Sequence, residues 1–449
     1  MLLLKRAVAA AALFSASLAV VAAPAQVEIQ FWHSMKGELG VQVDKLADRF
    51  NQSQKNYKLV PLYKGSYAES MSAMLAAAHA GKAPDIIQVD DADTETMFSA
   101  SAGGSAKHKK FLMKPLYQVM TEAGHKFDFR IFLPALSSYY SDKNGRMLAL
   151  PFNSATPVFY YNKDAFRKAG LDPEIPPKTW PEVQAAAQAI LDVHATRCVY
   201  TTGVQSWVHV ENLHAWDDEE FATRLNGYDG GSTDLVFNDR LEVRHIALLE
   251  AWLKGTLFSR SRDTNEAELR FADGGCAMLT SSSVAYVEIK RNANFDVAVA
   301  RLPYYEDYRG APQNTLAGGG SLWVMAGKKP AAYKGIAQFF AFLTQPELQA
   351  EWHQQTGYLP LTIAAYELSK KQGYYEQNPG AEISVLEVSA NKPTPISRGI
   401  HLGDFAQIRK VIDEELDNVW SGKKPPKQAL DDAVTRGNEL LHKFESANK

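Results

Sequence analysis

The stretch from Leu150 to Gly170, LPFNSATPVFYYNKDAFRKAG, constrains the fold of this chain more than any other. Its centre, Val158-Phe159-Tyr160-Tyr161, is a continuous apolar run. Such a run suits a strand buried on both faces, as in the parallel sheet of an α/β protein. Before it, a strand reaches Pro151, a poor residue for the middle of a sheet, and gives way to Asn153, Ser154, Ala155 and Thr156. After it, Asn162-Lys163-Asp164 opens a helix through Ala165, Phe166 and Ala169, which Gly170 stops. A polar break between two buried strands is what a chain needs where it crosses from one lobe to another past a ligand.

The flanking sequence repeats the alternation. Val27 to Phe31 reads as a strand. A helix follows with Leu39, Val43, Leu46, Ala47 and Phe50 at helical spacing, then a strand at Tyr57 to Leu62. This β-α-β opening predicts a mainly parallel sheet. Ser66 and Glu69 have the capping-box form, as do Thr179 and Glu182. Trp180 is expected to pack. Tyr200 to Trp216 is expected to end a strand and open a helix at the cleft, and Asp217 to Glu220 to form a solvated surface. His245 reads as an ordinary helix residue. With 449 residues, 46% of them hydrophobic, the chain is long enough for two lobes with real cores.

The net charge of −3 and the lack of a basic run argue against nucleic acid as a partner. Lys5 and Arg6, the apolar segment Ala7 to Ala23 and the A-x-A form of Ala23-Pro24-Ala25 read as a cleavable secretory signal. Cleavage is expected after Ala25, with Ala23 as the alternative. Export allows a disulfide between the two cysteines, Cys198 and Cys276, and equally allows two buried thiols. No His/Cys cluster has metal-ligand spacing, and no cofactor is expected.

Several residues suit an anionic polyol. Asp90 and Asp91 stand just past the strand ending at Val89, where open α/β sheets bind ligands and where carboxylates accept polyol hydroxyls. One of the two is also expected to cap a helix. Tyr67 sits in the first turn of a helix, beside free backbone N–H groups. Ser281-Ser282-Ser283 is expected to begin a helix, a good place for phosphate. Gly318-Gly319-Gly320 lets backbone N–H groups approach a ligand or serves as a hinge, and Tyr358 lies in a turn. Arg409 can grip phosphate with two parallel hydrogen bonds, although its own stretch favours a surface salt bridge with Asp413.

From about Ile29 onward the chain resembles the extracytoplasmic solute-binding proteins of ABC importers, and most of all their glycerol-phosphate-binding members. The resemblance is carried by FWHSMKGELG, LYKGSY, APDIIQV, PFNSATPVFYYNKDAFRKAGLDP, PPKTW, APQN, GGGSLWVM, EWHQQTGYLPLT and QIRKVIDEELDNVWSGKKPP. It implies a two-lobed α/β fold of the periplasmic binding protein type (type II), with hinge segments and a ligand cleft between the lobes. It divides the chain into a signal peptide at 1–25, one lobe at 26–153 and a second at 154–317. A return to the first follows at 318–363, with C-terminal helices, mainly of the second lobe, at 364–449. It places ligand contacts at Tyr67, Asp91, Ala155, Ser282, Gly319, Tyr358 and Arg409. Three positions depart from its pattern. Asp91 stands for an expected Glu, Ala155 for a Ser that neighbouring Ser154 could replace, and Val204 for a Trp that would wall the pocket. The lost indole leaves room for the head group of a glycerophosphodiester such as glycerophosphocholine.

These features lead to a periplasmic, non-enzymatic protein. It would close on glycerol 3-phosphate or a glycerophosphodiester and deliver it to an inner-membrane ABC permease with its ATPase subunits. A sugar-binding protein of the same class is the alternative, against which Ser282 and Arg409 speak. A secreted hydrolase would need a metal cluster or an activated nucleophile, and the sequence offers neither.

Overall fold

The computed structural model describes residues 26–99, 112–261 and 265–448. The expected leader at 1–25 lies outside them, and so, apart from Ser99, does the run Ser99 to Lys110, SASAGGSAKHKK, whose small and polar residues read as a flexible surface insertion. Among the described residues no helix is long and apolar enough to cross a membrane.

Among the described residues, ten strands form two sheets. The first contains β1 (Val27–His33), β2 (Tyr57–Tyr63), β3 (Ile86–Asp90), β4 (Met113–Lys114), β5 (Leu150–Ala155) and β10 (Gly318–Met325). Its order is β2-β1-β3-β10-β4, with β5 paired to β10. The second contains β6 (Pro157–Asn162), β7 (Cys198–Thr202), β8 (Cys276–Ser282) and β9 (Val297–Ala300), in the order β7-β8-β6-β9. The two sheets make a two-lobed α/β fold, as the sequence predicts. The sheets are mixed rather than mainly parallel. β1 runs parallel to β2 and β3, and β7 to β8, but β10 is antiparallel to β3, β4 and β5, and β6 to β8 and β9. The long return of β10 brings a late strand back into the first sheet, which local alternation does not reveal.

Both strands of the organising stretch are buried at all six positions. The polar break proves to be a strand: β5 continues through Asn153, Ser154 and Ala155, paired with Gly320, Gly319 and Gly318. Only Thr156 separates it from β6. Pro151 is accommodated because β5 pairs with β10 alone among the described strands, with an irregularity in register opposite it. At the crossing, the Thr156 hydroxyl donates to Thr315 Oγ1 at 2.6 Å, and the Ser283 N–H donates to the Thr156 carbonyl at 2.8 Å. The two segments that pass between the sheets are thus tied together.

Each lobe has its own core. Ile29, Phe31, Phe50, Phe152, Leu322 and Phe339 pack around the first sheet. Trp180, Tyr200, Leu249, Trp252 and Met278 pack around the second. A buried Leu or Phe contributes about 1.5–3 kcal/mol, so each cluster holds its lobe together independently. The helix Phe405–Trp420 lays Ile408, Ile412, Leu416 and Val419 into the second core, beside the helix Pro426–Asn448. Both capping boxes form, Ser66 with Glu69 and Thr179 with Glu182. Trp180 is 2% exposed, a packing residue as expected.

Cys198 and Cys276 stand opposite each other on β7 and β8 and form a disulfide. Asp217 departs from the expected solvated run. It is buried and accepts the Tyr305 N–H at 3.0 Å, and burial pushes its carboxyl up to about 8. His245 is no ordinary helix residue either. It is buried, with Nε2 2.9 Å from His209 Nδ1 and Nδ1 3.0 Å from the Tyr305 hydroxyl.

Candidate functional site

The carboxyl end of β3, the last residues of β5 and the first of β10 meet at one edge of the first sheet, in register Asp90 with Gly320 and Asn153 with Gly320. The helix Tyr67–His79 starts over this edge, so the Tyr67 hydroxyl reaches the strand ends. It accepts from Asn153 Nδ2 at 2.9 Å and from Gln88 Nε2 at 3.3 Å, and Gln88 also donates to Asn153 Oδ1 at 2.7 Å. Burial, with Asp90 and Tyr358 nearby, raises the Tyr67 phenol well above its usual range, so it stays a neutral hydroxyl.

Asp90 ends β3 and caps the following turn, accepting the Ala92 N–H at 3.2 Å. That frees the next carboxylate. Asp91 is 4% exposed, and its Oδ1 accepts the Gly319 N–H at 2.8 Å. Gly319 has φ +102°, a backbone an L side chain rarely adopts, and a Cβ there would stand 2.2 Å from the Asn153 carbonyl. The glycine is needed to bring this N–H inward.

Arg409 comes from the other lobe, on the helix Phe405–Trp420. The surface bridge to Asp413 does not form; the Asp413 carboxylate instead accepts the Ser206 N–H at 3.3 Å. The Arg409 guanidinium turns inward over Phe405 and grips Glu211 with two bonds, Nε to Oε1 at 2.6 Å and Nη2 to Oε2 at 2.7 Å. Nη2 also donates to Asp91 Oδ2 at 2.5 Å, and Nη1 approaches Asp90 Oδ1 at 3.4 Å. Arg409 therefore ties the two lobes together. Burial disfavours its charge, but Asp91 and Glu211 outweigh that and hold it firmly protonated. Burial raises the Glu211 carboxyl despite Arg409, and burial together with Asp91 raises Asp90. Burial also lifts Asp93 to about 6.

The remaining candidates surround this cluster at different depths. Tyr358 is 8% exposed and follows Gly357, whose φ of +78° closes the preceding helix against Val284. Ser154 is fully buried, with a hydroxyl that has no hydrogen-bond partner among the described residues and a carbonyl that accepts the Leu359 N–H at 2.7 Å. Ala155 is buried beside it. Ser282 is the last residue of β8 rather than the start of a helix, which begins at Ala285. It borders a cavity of about 530 Å³ between the lobes, together with Lys36, Gln42, Glu268 and Thr356. Val204 is 51% exposed, with φ +42°, on the turn between β7 and a π-helical turn, Trp207–Glu211. Hydrogen bonds thus join Asp91, Gly319, Arg409 and Glu211 in one group, and Tyr67, Gln88 and Asn153 in another. Among the described residues, neither group includes Ser282 or Val204.

The sequence reading gives no site role to four residues that the geometry puts here, Gln88, Asn153, Glu211 and Trp207, although Asn153 lies in its polar break and Trp207 and Glu211 in the stretch it expects at the cleft. Gln88 carries a signal, a lone polar residue in the apolar run Ile86 to Val89; Glu211, between His209 and Asn212, carries none. Trp207 packs its indole against Gly318, where a Cβ would come within 2.7 Å of the ring. It is therefore an aromatic wall beside the crossing strands, three residues after Val204.

Residues 45–382 match the family described as bacterial extracellular solute-binding protein. The chain belongs to that family. It is 50% identical over 428 residues to the sn-glycerol-3-phosphate-binding periplasmic protein UgpB of Yersinia enterocolitica, covering 95% of each chain. Its identity to the protein of the same name from Salmonella typhimurium is also 50%, over 422 residues and 94% of each chain. Among solved structures, it resembles UgpB from Mycobacterium tuberculosis in complex with glycerophosphocholine. The TM-score is 0.74 at 21% identity, covering 93% of this chain and 99% of that one. It also resembles the cyclic α-maltosyl-1,6-maltose binding protein of Arthrobacter globiformis, with TM-score 0.72 at 20% identity over 93% and 100%. These two likenesses establish the fold. The family and the periplasmic relatives place the protein outside the cytoplasm, as a solute-binding component of an importer.

Proposed function

We propose that this protein binds sn-glycerol 3-phosphate, glycerophosphodiesters or both in the cleft between its lobes and hands them to an inner-membrane ABC permease with its ATPase subunits. One observation carries the reading. A buried guanidinium from one lobe and a backbone N–H from the other converge on a single anionic group, the Asp91 carboxylate, at 2.5 and 2.8 Å. Donors that converge on one carboxylate suit a phosphate equally well. The names of the half-identical relatives point the same way.

In this reading one lobe comprises 26–155 and 318–363, and the other comprises 156–317 and 364–449, the boundary expected after 153 moving because β5 runs to Ala155 in the first sheet. Arg409 and the Gly319 N–H hold the phosphate, aided by Tyr67, Tyr358 and Ser282. Asp91 takes glycerol hydroxyls, with Ser154 standing in for the hydroxyl that Ala155 lacks. Val204 leaves space for a diester head group. Ligand favours the closed arrangement because it touches both lobes. The protein binds without turning its ligand over.

Thermal unfolding with and without ligand tests this. Glycerol 3-phosphate and glycerophosphocholine should raise Tm in a concentration-dependent way, and maltose should not. A shift with maltose alone would favour the sugar reading, and release of free phosphate or choline on incubation would make the protein an enzyme.

A further inference from the structure

We propose that Asp91 is an internal competitor of the ligand phosphate and thereby makes binding depend on phosphate and polyol together. The proposal rests on the glycerol-phosphate reading. Asp91 engages both donors assigned to phosphate: Oδ1 takes the Gly319 N–H at 2.8 Å and Oδ2 takes Arg409 Nη2 at 2.5 Å. Among the described residues, its carboxylate has one further hydrogen-bond partner, the Tyr139 hydroxyl, which stands 3.5 Å from Oδ2 and from the Asp91 carbonyl. Those donors cannot serve two anions in full, so a phosphate that enters must take them from Asp91.

Glu211 decides which edge of Arg409 is exchanged. Its two oxygens occupy Nε and one side of Nη2 at 2.6 and 2.7 Å, within the same lobe. The Nη1–Nη2 edge faces Asp91 and Asp90 across the cleft. Phosphate replaces Asp91 on that edge while Glu211 keeps the guanidinium in place. Asp91, once released, has lone pairs free to accept the glycerol hydroxyls. A neutral polyol has no group able to displace Asp91 from Arg409 and meets a carboxylate whose oxygens are already engaged. A bare phosphate can displace it but gains nothing from the freed carboxylate. Both halves of one ligand are required for tight binding.

The test uses inorganic phosphate and glycerol as separate probes, titrated calorimetrically into the native protein and three variants. Asp91→Asn keeps the side-chain size but has a single acceptor oxygen: with that oxygen on the Gly319 N–H, its NH2 faces Arg409 and the bond to the guanidinium is lost. It should bind inorganic phosphate about tenfold more tightly than the native protein, the size expected when a hydrogen bond to a charged group is lost. It should bind glycerol 3-phosphate less tightly than the native protein does. Measured at pH 9, above the value of about 8 to which burial and Asp91 raise its carboxyl, Asp90→Asn removes an equal charge 3.4 Å from Nη1 without touching Gly319, and its gain should be much smaller. Equal gains in the two variants would overturn the proposal in favour of general charge repulsion. An unchanged phosphate affinity in Asp91→Asn would overturn it outright, as would phosphate binding to neither protein. Arg409→Ala separates the two levels. If it binds phosphate like the native protein, the assignment of Arg409 falls; if it does not bind and Asp91→Asn shows no gain, only the competition falls.

Discussion

Replacing Arg409 with Met is expected to cost far more than the loss of a surface ion pair. The Arg409 side chain is 18% exposed, and its partners Asp91 and Glu211 are 5% and 1% exposed. The change removes three strong hydrogen bonds, two to Glu211 and one to Asp91, and leaves two carboxylates buried without a cation. Breaking a buried pair from one side costs about 3–5 kcal/mol, because the abandoned charge is uncompensated. An exposed pair is worth about 0–1 kcal/mol. Urea unfolding at pH 8 distinguishes the two, and a loss below about 1 kcal/mol would refute the buried arrangement. The pH dependence gives a second check. Without Arg409, burial acts unopposed on Glu211, so its folded carboxyl holds its proton to higher pH than the unfolded one. The folded state then binds more protons, and stability must fall as pH rises above the ordinary carboxyl range. The variant should therefore lose less stability at pH 5 than at pH 8. Adding Glu211→Leu removes the stranded charge and should recover part of the loss.

Val204→Trp should weaken glycerophosphocholine more than glycerol 3-phosphate in calorimetric titrations, and equal effects would remove Val204 from the selectivity. Replacing both Cys198 and Cys276 with Ser should lower unfolding stability by about 2–4 kcal/mol, since the bridge closes a loop of 78 residues in the unfolded chain. Asp217 is held up to about 8 by burial, so the native protein should lose stability as pH rises from about 4 to about 8. Asp217→Asn should flatten that slope, and an unchanged slope would show that Asp217 does not cause it.

What the sequence made legible was local. Ser66 with Glu69 and Thr179 with Glu182 need only three residues of chain to make their caps, and both are formed. The apolar run at Val158 to Tyr161 announces a doubly buried strand because burial on both faces leaves no polar position. Signals set by distant partners were hidden. Glu211 and Arg409 are 198 positions apart, and nothing in either stretch names the other. Arg409 alone reads as half of a surface bridge, since Asp413 lies one helical turn away. Ser281 and Ser282 read as a helix start because serines cap helices, but pairing with Pro157 and Val158 draws them into β8. The disulfide needed the register of β7 on β8, which two cysteines cannot supply. The proposed ligand positions at Tyr67, Asp91, Gly319 and Arg409 could be named through family resemblance. The partners that hold them, Gln88, Asn153 and Glu211, could not.

Calorimetric titration of the mature protein with sn-glycerol 3-phosphate, repeated with glycerophosphocholine and with Arg409→Ala, tests the central claim most directly. Saturable binding of at least one of the two ligands, lost in Arg409→Ala, is the expected result. Tighter binding of the diester would assign Val204 its selectivity role, and tighter binding of the monoester would show the open space to be filled by other groups. Binding of neither ligand, or binding that survives the loss of Arg409, would contradict a phosphate site built between the lobes.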